Sequence, residues 1–387
     1  MSEPRIISFG RPMIGPEEQA AVAKVLAGPQ LVHGPVAHGF EQRFAARAGV
    51  AHAVSVSSCT AGLHLALHVH GIGPGDEVIV PAMTHVATAH AVEYCRATPV
   101  FVDVDPASGN VDIGAVEAAI GPRTKAIMVV HFLGLPPDMT RLRTTARKSG
   151  LLVVEDAALA LDASYDGVKA GGLGDVASFS FYPTKHMTTS EGGMVTTNDA
   201  EIARRVSAMK AFGYDKTLGE RVRPGIYDVN TLGYNYRMSE AHAAIGLAQL
   251  DKLDGFQTAR AANFKALRDG LADCAELTVF ASEQGRGRSS HYCLNAILPR
   301  DGTITRDDVV TPLKAAGIGT SVHYPSAVPL FAYYREKYSY RAGQFPVAEW
   351  LAAGTISLPV GPHLEPGDPA RIAATLKAAV AAALAAR

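Results

Sequence analysis

The sequence predicts an α/β protein built around a mainly parallel β-sheet. Between about residues 50 and 200, short apolar runs alternate with stretches of helical periodicity, and this alternation is typical of strand–helix–strand units. Glycine and proline clusters separate the runs, as at 73–76 and 136–137. Hydrophobic residues make up 48% of the 387 residues and charged residues 19%. The chain can therefore bury a large core, with helices on both faces of the sheet.

Each predicted strand of this region is a short run of β-branched and other apolar residues. The predicted strands are residues 52–56, 77–81, 99–105, 125–131, 151–156, 177–181 and 193–199. Between them, helices are predicted to begin at Thr60 and Val86 and to cover residues 112–120 and 138–149.

Helical stretches dominate after residue 200. The predicted elements there are helices 239–253 and 257–270, strand 291–298, helix 306–316, a short segment at 320–325 and a terminal helix 369–387. We place a domain boundary at Asp254–Gly255. It separates a large α/β domain (1–254, with the N-terminal segment) from a small C-terminal α+β domain (255–387).

The composition argues against several classes of protein. The 36 basic and 37 acidic residues leave a formal net charge of −1, which gives no overall attraction to nucleic acid or to an anionic membrane. No run approaches 18 uninterrupted apolar residues, and the first ten residues lack the pattern of a signal peptide. The four cysteines form no Cys-x-x-Cys pair, so we expect a reduced, cytoplasmic protein.

Three histidines lie close together in the sequence, namely His64, His68 and His70. No acidic or thiolate partner accompanies them at zinc-site spacing. We therefore predict that they are packing residues of one helix and that the chain has no metal site.

Two polar side chains follow apolar strands at the edge where open α/β sheets bind ligands. Asp156 ends one strand, where a carboxylate either faces a cation or serves as a helix cap or buried structural acid. Lys185 lies five residues after Ser180. A lysine after a strand is usually a solvated surface residue. This spacing, however, would let the Ser180 hydroxyl bind a phosphate while the desolvated amine reaches a carbonyl on the same ligand.

The helix that begins at Thr60 supplies a candidate phosphate site. Ser57, Ser58 and Thr60 are residue types that cap helices, and capping alone would explain them. A helix N-terminus with free N–H groups also binds phosphate readily. A lysine, an acid and a phosphate cradle are together what a pyridoxal phosphate enzyme needs, since the acid keeps the cofactor's ring nitrogen protonated.

Seven motifs then occur in a fixed order along nearly the whole chain. They are SSCTAGLHLAL, GIGPGDEVIVPAMTHVATAHAV, PVFVDVD, VEDAALA, GDVASFSFYPTKHMTTSEGGMVTTND, LGYNYRMSEAHAAIGLAQL and GTSVHYP. In this order they resemble the DegT/DnrJ/EryC1/StrS sugar aminotransferases. The resemblance implies fold-type I of the pyridoxal phosphate enzymes, with a seven-stranded, mainly parallel sheet in the large domain.

The resemblance also implies an activity. The chain would transfer an amino group from an amino acid, with glutamate the expected donor, to a keto sugar on a nucleotide diphosphate, using pyridoxal 5′-phosphate. Lys185 would carry the cofactor as the internal aldimine and shuttle a proton. Asp156 would pair with the pyridinium nitrogen.

Further roles follow from the same resemblance. Thr60, the backbone of Ala61 and Ser180 would bind the cofactor phosphate. Asn235 would reach the phosphate of the neighbouring subunit's cofactor, which makes the active site a property of a homodimer. His323 would lie near the sugar.

The sequence departs from the family pattern at four positions. His85 stands where an aromatic side chain often stacks on the cofactor ring, and an imidazole can also stack there. Leu159 replaces a Gln or His that commonly touches the ring hydroxyl, so that contact is in doubt. Cys59 and Ser190 each replace a frequent Gly, and we expect both to be packing residues.

Several alternatives remain open at this point. The acceptor could be a keto-cyclitol instead of a nucleotide sugar. Some related enzymes are sugar dehydratases, but they lack the Schiff-base lysine, and Lys185 is present here. A regulator that binds the cofactor without turnover would tolerate loss of Lys185 or Asp156, and both are present. The sequence identifies neither the sugar, nor the carbon aminated, nor the nucleotide.

Overall fold

The computed structural model describes residues 5–215, 223 and 226–386. Strands in this part of the chain form three sheets. In chain order they are β1 (His52–Val56), β2 (Glu77–Pro81), β3 (Thr98–Val102), β4 (Thr124–Val130), β5 (Leu152–Asp156), β6 (Ser164–Tyr165), β7 (Val168–Lys169), β8 (Val176–Ser180), β9 (Gly193–Thr197), β10 (Thr278–Val279), β11 (Glu283–Gln284), β12 (Gly287–Arg288), β13 (Leu294–Ile297) and β14 (Thr355–Leu358).

Helices cover these sheets. They are α1 (Pro16–Leu26), α2 (Pro35–Ala48), α3 (Cys59–Val69), α4 (Val86–Tyr94), α5 (Ile113–Ala119), α6 (Met139–Ser149), α7 (Ala200–Met209), α8 (Glu240–Gly270), α9 (Arg306–Ala315), α10 (Ala332–Tyr338), α11 (Pro346–Gly354) and α12 (Asp368–Ala385). Single 3₁₀ turns lie at Phe132–Gly134 and Val328–Leu330. Among the described residues, none of the helices combines the length and the apolar character needed to cross a bilayer.

The central sheet has seven strands in the order β1-β9-β8-β5-β4-β2-β3. Neighbouring strands from β8 through β5, β4 and β2 to β3 are parallel. β9 is antiparallel to both of its neighbours, β1 and β8. The predicted α/β fold with a mainly parallel seven-stranded sheet is therefore confirmed.

Side chains on both faces of this sheet are buried, which explains why its strands read as nearly continuous apolar runs. In β2, Val78 and Val80 belong to one core cluster and Ile79 to the other. The second cluster includes Phe40 and Phe44 of α2, which pack on the face of the sheet that carries Ile79. Helices thus cover both faces, and open α/β sheets of this kind bind ligands at the carboxyl ends of their strands.

The helix boundaries follow local capping. Ser58 is the N-cap of α3, because its hydroxyl accepts a hydrogen bond from Ala61 N. Asp138 caps α6 in the same way. Gly150 ends α6 with a φ of 63°, a left-handed conformation that favours glycine.

The C-terminal part of the chain forms a separate small sheet, β10-β13-β14. α9 and α12 pack on it through the third core cluster, which includes Leu313 and Leu376. The hairpin β11–β12 does not join this sheet. It pairs with the hairpin β6–β7, so the two halves of the chain share a four-stranded sheet.

One helix prediction is wrong in its boundaries. The helices predicted at 239–253 and 257–270 are one continuous helix, α8, of 31 residues. A single glycine in a helix costs only about 1 kcal/mol, and the contacts of α8 with α1, α2 and α12 outweigh that cost at Gly255. The proposed domain boundary at Asp254–Gly255 therefore falls inside a helix, and the division into 1–254 and 255–387 stays a prediction.

Candidate active site

A cavity of about 470 Å³ lies at the carboxyl ends of the parallel strands. Val130, Asp156 and Ser180, which are the last residues of β4, β5 and β8, line it. The N-terminus of α3 points into the same space. The lining residues are Phe9, Ser58, Cys59, Thr60, Leu63, His85, Ala87, Val130, Asp156, Ala158, Leu159, Ser180, Tyr182, Thr184, Lys185, Glu191, Gly192, Tyr292, Ser321, His323 and Tyr324.

Six of the residues predicted from sequence meet in this cavity. They are Thr60, His85, Asp156, Ser180, Lys185 and His323. Two other predicted residues, Ala61 and Asn235, are not part of its lining. The fold thus brings together side chains as far apart in the sequence as Thr60 and His323.

Asp156 is a buried carboxylate, with only 5% of its surface exposed. Thr88 Oγ1 donates to its Oδ2 at 2.7 Å, and Ala158 N donates to its Oδ1 at 3.1 Å. The Cys59 thiol lies 4.0 Å from Oδ1. In the part of the chain that the structure describes, none of these three partners is a cation. A buried carboxylate without a cationic partner is costly unless a ligand supplies the charge, so this wall suits a ring with a protonated nitrogen.

A tight turn and a hydrogen bond from Arg260 of α8 fix the main chain around Lys185. Lys185 N donates to Tyr182 O at 2.9 Å, which closes a tight turn after β8. The buried guanidinium of Arg260 donates to Lys185 O at 3.3 Å and to Tyr292 O at 3.0 Å. Burial lowers the pKa of Arg260 to about 10. Lys185 Nζ lies 5.0 Å from the centroid of the Tyr292 ring, at the cavity wall.

The start of α3 forms a cradle for an anion. Gly193 of β9 comes so close to this helix start that a Cβ there would lie 2.5 Å from the carbonyl carbon of Ser58. The side chain of Thr60 and that of Ser180 face the same space. A phosphate fits here, because N–H groups and the helix dipole both favour an anion. Ala61 N donates to Ser58 Oγ at 3.1 Å in this structure, so its predicted role stays a prediction.

His85 caps α4 and borders the cavity. Its Nδ1 accepts a hydrogen bond from Ala87 N at 3.2 Å, and its ring meets that of Tyr324 edge-on at 5.7 Å. The protein around the ring displaces water and lowers the pKa of His85, although the charge of Asp156 acts in the opposite direction. A neutral, flat side chain therefore lies at the cavity, where the sequence analysis predicts a stacking partner.

His323 belongs to the wall of the cavity rather than to its open space. It is 8% exposed, and its Nδ1 lies 2.8 Å from Ser357 Oγ. Burial lowers the pKa of His323 to about 3, and the charge of Lys185 acts in the same direction. The imidazole is thus neutral, and its ring meets that of Tyr324 edge-on at a centroid distance of 5.3 Å.

Asn235 is exposed and lies outside the cavity of its own chain. A single bridge to Ala211 fixes its backbone, and Tyr234 and Tyr236 stack on each other beside it at 5.0 Å. An exposed amide held on an ordered segment has the placement that contact with a second chain requires. That contact stays a prediction.

Sequence reasoning missed several residues of the cavity. Tyr292, Tyr324 and Phe9 line it, and each comes from a segment remote from the strand ends. Thr88, which donates a hydrogen bond to Asp156, lies three residues after His85 in the MTHVATA motif. Residues three apart on a helix share one face, so the predicted position of His85 at the cavity could have indicated Thr88 as well. Tyr324 directly follows the predicted His323.

A second cavity, of about 440 Å³, lies elsewhere and is lined by three aspartates, Asp105, Asp112 and Asp138. Asp112 caps α5 and Asp138 caps α6. Asp105 accepts hydrogen bonds from Ser108 and Gln284. Since these carboxylates have structural partners, the Lys185 cavity is the better candidate for the active site.

The chain is similar to known proteins along nearly its whole length. A model described as the DegT/DnrJ/EryC1/StrS aminotransferase family matches residues 12–377. The chain is 39% identical over 367 residues to the spore coat polysaccharide biosynthesis protein SpsC of Bacillus subtilis (strain 168), covering 94% of each chain. It is 40% identical over 339 residues to GDP-perosamine synthase of Caulobacter vibrioides, covering 87% of this chain and 88% of that one.

Solved structures show the same relationship. The putative sugar aminotransferase Spr1654 from Streptococcus pneumoniae, in its PMP-form, superposes with a TM-score of 0.92 at 28% identity, covering 99% of both chains. Its PLP-form gives a TM-score of 0.91. DesI, solved in the presence of its TDP-sugar product, gives a TM-score of 0.88 at 35% identity and covers 100% of this chain and 95% of its own.

Proposed function

The chain belongs to the DegT/DnrJ/EryC1/StrS aminotransferase family, and on this basis we propose that it aminates a keto sugar linked to a nucleotide diphosphate, with glutamate as the amino donor. It is a pyridoxal-phosphate-dependent sugar aminotransferase. The observation that carries the proposal is one cavity at the strand ends, which holds Lys185, a helix N-terminus and the buried Asp156, whose carboxylate forms no ion pair within the described part of the chain.

Pyridoxal phosphate, when bound, supplies an electron sink for the amino-group transfer. We assign Lys185 Nζ two tasks: it holds the cofactor covalently, and it moves a proton between donor and acceptor carbons. Asp156 keeps the proton on the cofactor's ring nitrogen by opposite-charge stabilisation. Thr60, Ser180 and the start of α3 bind the phosphate.

The acceptor side of the proposal rests on the relatives. GDP-perosamine synthase and DesI, with its TDP-sugar product, are named for nucleotide-linked sugars. The neutral His323 and the rings of Tyr292 and Tyr324 give the cavity an uncharged stretch of wall. Such a wall suits a sugar ring, whose hydroxyl groups and C–H faces both need contacts. The cytoplasmic location expected from the sequence stays a prediction.

The test of the proposed function has two stages. Glutamate alone should bleach the visible absorption of the purified, cofactor-loaded protein, because the first half-reaction moves the amino group onto the cofactor. A panel of nucleotide-linked 3-keto and 4-keto sugars, together with keto-cyclitols, is then assayed for restoration of that absorption. Restoration by a keto-cyclitol alone would overturn the assignment of a nucleotide sugar, and a protein that never bleaches with any amino donor would contradict transamination.

We predict that His85 supports the cofactor ring by stacking. His85→Phe should keep much of the activity, since a phenyl ring covers the same face. His85→Ala should weaken cofactor retention, seen as faster loss of absorption during dialysis. Because His85 also caps α4, a cost of about 1 kcal/mol in stability is expected from both variants. Equal cofactor retention by the two variants would show that no ring is needed at this position.

We also predict that the active sites are shared between two chains through Asn235. The protein should be a homodimer that buries about 2,000 Å² or more in total. Asn235→Ala and Lys185→Ala should complement each other after subunit exchange, because each heterodimer regains one intact site. A fully exchanged equal mixture should recover about a quarter of the wild-type activity.

The control for this experiment is a mixture of Lys185→Ala with Asp156→Ala. These two residues belong to the same chain's cavity, so no heterodimer has an intact site and no activity should return. If the Asn235→Ala mixture also stays inactive although mass spectrometry shows heterodimers, Asn235 acts within its own chain.

A further inference from the structure

Two histidines and a cysteine meet outside the active-site cavity. His64 and His68 are four residues apart on α3 and therefore share one face of the helix. Cys95 is the C-cap of α4, which packs against α3. One ligand atom from each of the three side chains lies within 4.8 Å of the other two. The fold thus supplies the thiol partner that the local sequence spacing did not show.

His64 is the buried member of this cluster, with 3% of its surface exposed. Its Nε2 is buried and has no hydrogen-bond partner among the described residues, whereas its Nδ1 lies 3.3 Å from Tyr236 Oη. A buried nitrogen that is left without a partner is costly. A ring whose other nitrogen is fixed by a hydrogen bond is also the usual arrangement of a metal-ligating histidine.

We propose that His64, His68 and Cys95 bind a thiophilic transition metal ion, and that Zn²⁺ is the ion the site takes. Two imidazoles and a thiolate form the donor set that zinc and similar ions prefer over calcium or magnesium. The three ligands leave a fourth position for water. His68 is half-buried, so the ion can enter from the surface on its side.

The geometry needs only small adjustments. Zinc bonds of about 2.0–2.1 Å to nitrogen and 2.3 Å to sulfur place tetrahedral ligand atoms about 3.3–3.6 Å apart. Rotation of the His68 and Cys95 side chains closes the remaining distance. Cys95 Sγ now lies 3.8 Å from His64 O as a neutral thiol donor, so binding releases one proton from Cys95 to solvent.

The bound ion would act on the structure and not on the substrate. None of its three ligands lines the active-site cavity. It would tie α3, whose first turn borders that cavity, to the end of α4. The ring of His64 also packs at 4.9 Å against Tyr234, next to Asn235. The site therefore joins three segments of the chain around one ion.

The test measures zinc on the cofactor-loaded protein. Protein stripped by a chelator, incubated with Zn²⁺ and desalted should keep about one zinc per chain, with a dissociation constant on the order of 1 μM or below. Zinc-edge X-ray absorption should show one sulfur neighbour. His68→Ala and Cys95→Ser should each weaken binding by about 100-fold or more.

Matched controls separate this site from chance binding. His70→Ala removes a histidine of the same helix that bonds Ala66 O instead, and Cys274→Ser removes another free thiol. Both should bind zinc like the wild type. Zinc should also raise the melting temperature of the wild type and of these controls, but not that of His68→Ala. Unchanged binding in Cys95→Ser, or no retained zinc in the wild type, would overturn the proposal.

Discussion

Lys185→Ala is expected to abolish transamination. The variant loses both the covalent link to the cofactor and the amine that moves the proton, and the acid–base part alone is worth about 10²–10⁴-fold in rate. Borohydride reduction of the wild type, followed by peptide mapping, should place the pyridoxyl group on the peptide that contains Lys185. The same treatment of Lys185→Ala should give no labelled peptide.

The control for this variant is Lys125→Ala. Lys125 is an exposed residue of β4, so its loss should change neither labelling nor turnover. A pyridoxyl group on any lysine other than Lys185 would refute the assignment, whatever the activity of the variants.

Asp156→Ala is expected to lower kcat by about 100-fold or more while the protein stays folded. Loss of a charge partner in the transition state commonly costs several kcal/mol. Removal of this buried carboxylate also leaves Thr88 Oγ1 and Ala158 N without their acceptor, so some loss of stability accompanies it. To separate the loss of catalysis from the loss of stability, the turnover of the fully cofactor-loaded variant is measured together with its melting temperature.

Asp138→Ala provides the matched comparison. That aspartate caps α6 at the second cavity, so its loss should cost about 1 kcal/mol in stability and leave kcat unchanged. Near-normal turnover in cofactor-loaded Asp156→Ala would show that another group holds the ring proton.

Much of the central sheet was predictable because its strands are buried on both faces. The predicted run 125–131 has an uninterrupted apolar centre at residues 126–130, and this centre indicated β4. Helix starts were predictable where one side chain caps the helix, as Ser58 and Asp138 do. α8 was not predicted as one helix, because its continuity at Gly255 depends on packing against distant helices.

Some residues of the candidate site were predictable from the sequence, and others depend on tertiary packing. Asp156 and Ser180 were predictable, since parallel strands present their last residues at one edge. Tyr292 reaches that edge from a segment more than 100 positions further on, and only the packing of the C-terminal part places it there. Cys95 and His64 likewise meet through contact of α3 with α4, which a search for local spacing does not detect.

The continuity of α8 has a practical consequence for dissection of the enzyme. Fragments that end at Asp254 and begin at Gly255 would each carry half of a severed helix. The cut would also divide the first core cluster, in which Tyr334 packs against Phe101. Such fragments should aggregate when they are produced separately, and they should be recovered intact only on co-expression. Proteases, which need extended backbone, should spare this region and cut exposed loops first. Truncated versions for crystallisation or display are therefore better designed around the ends of α8 than around its middle.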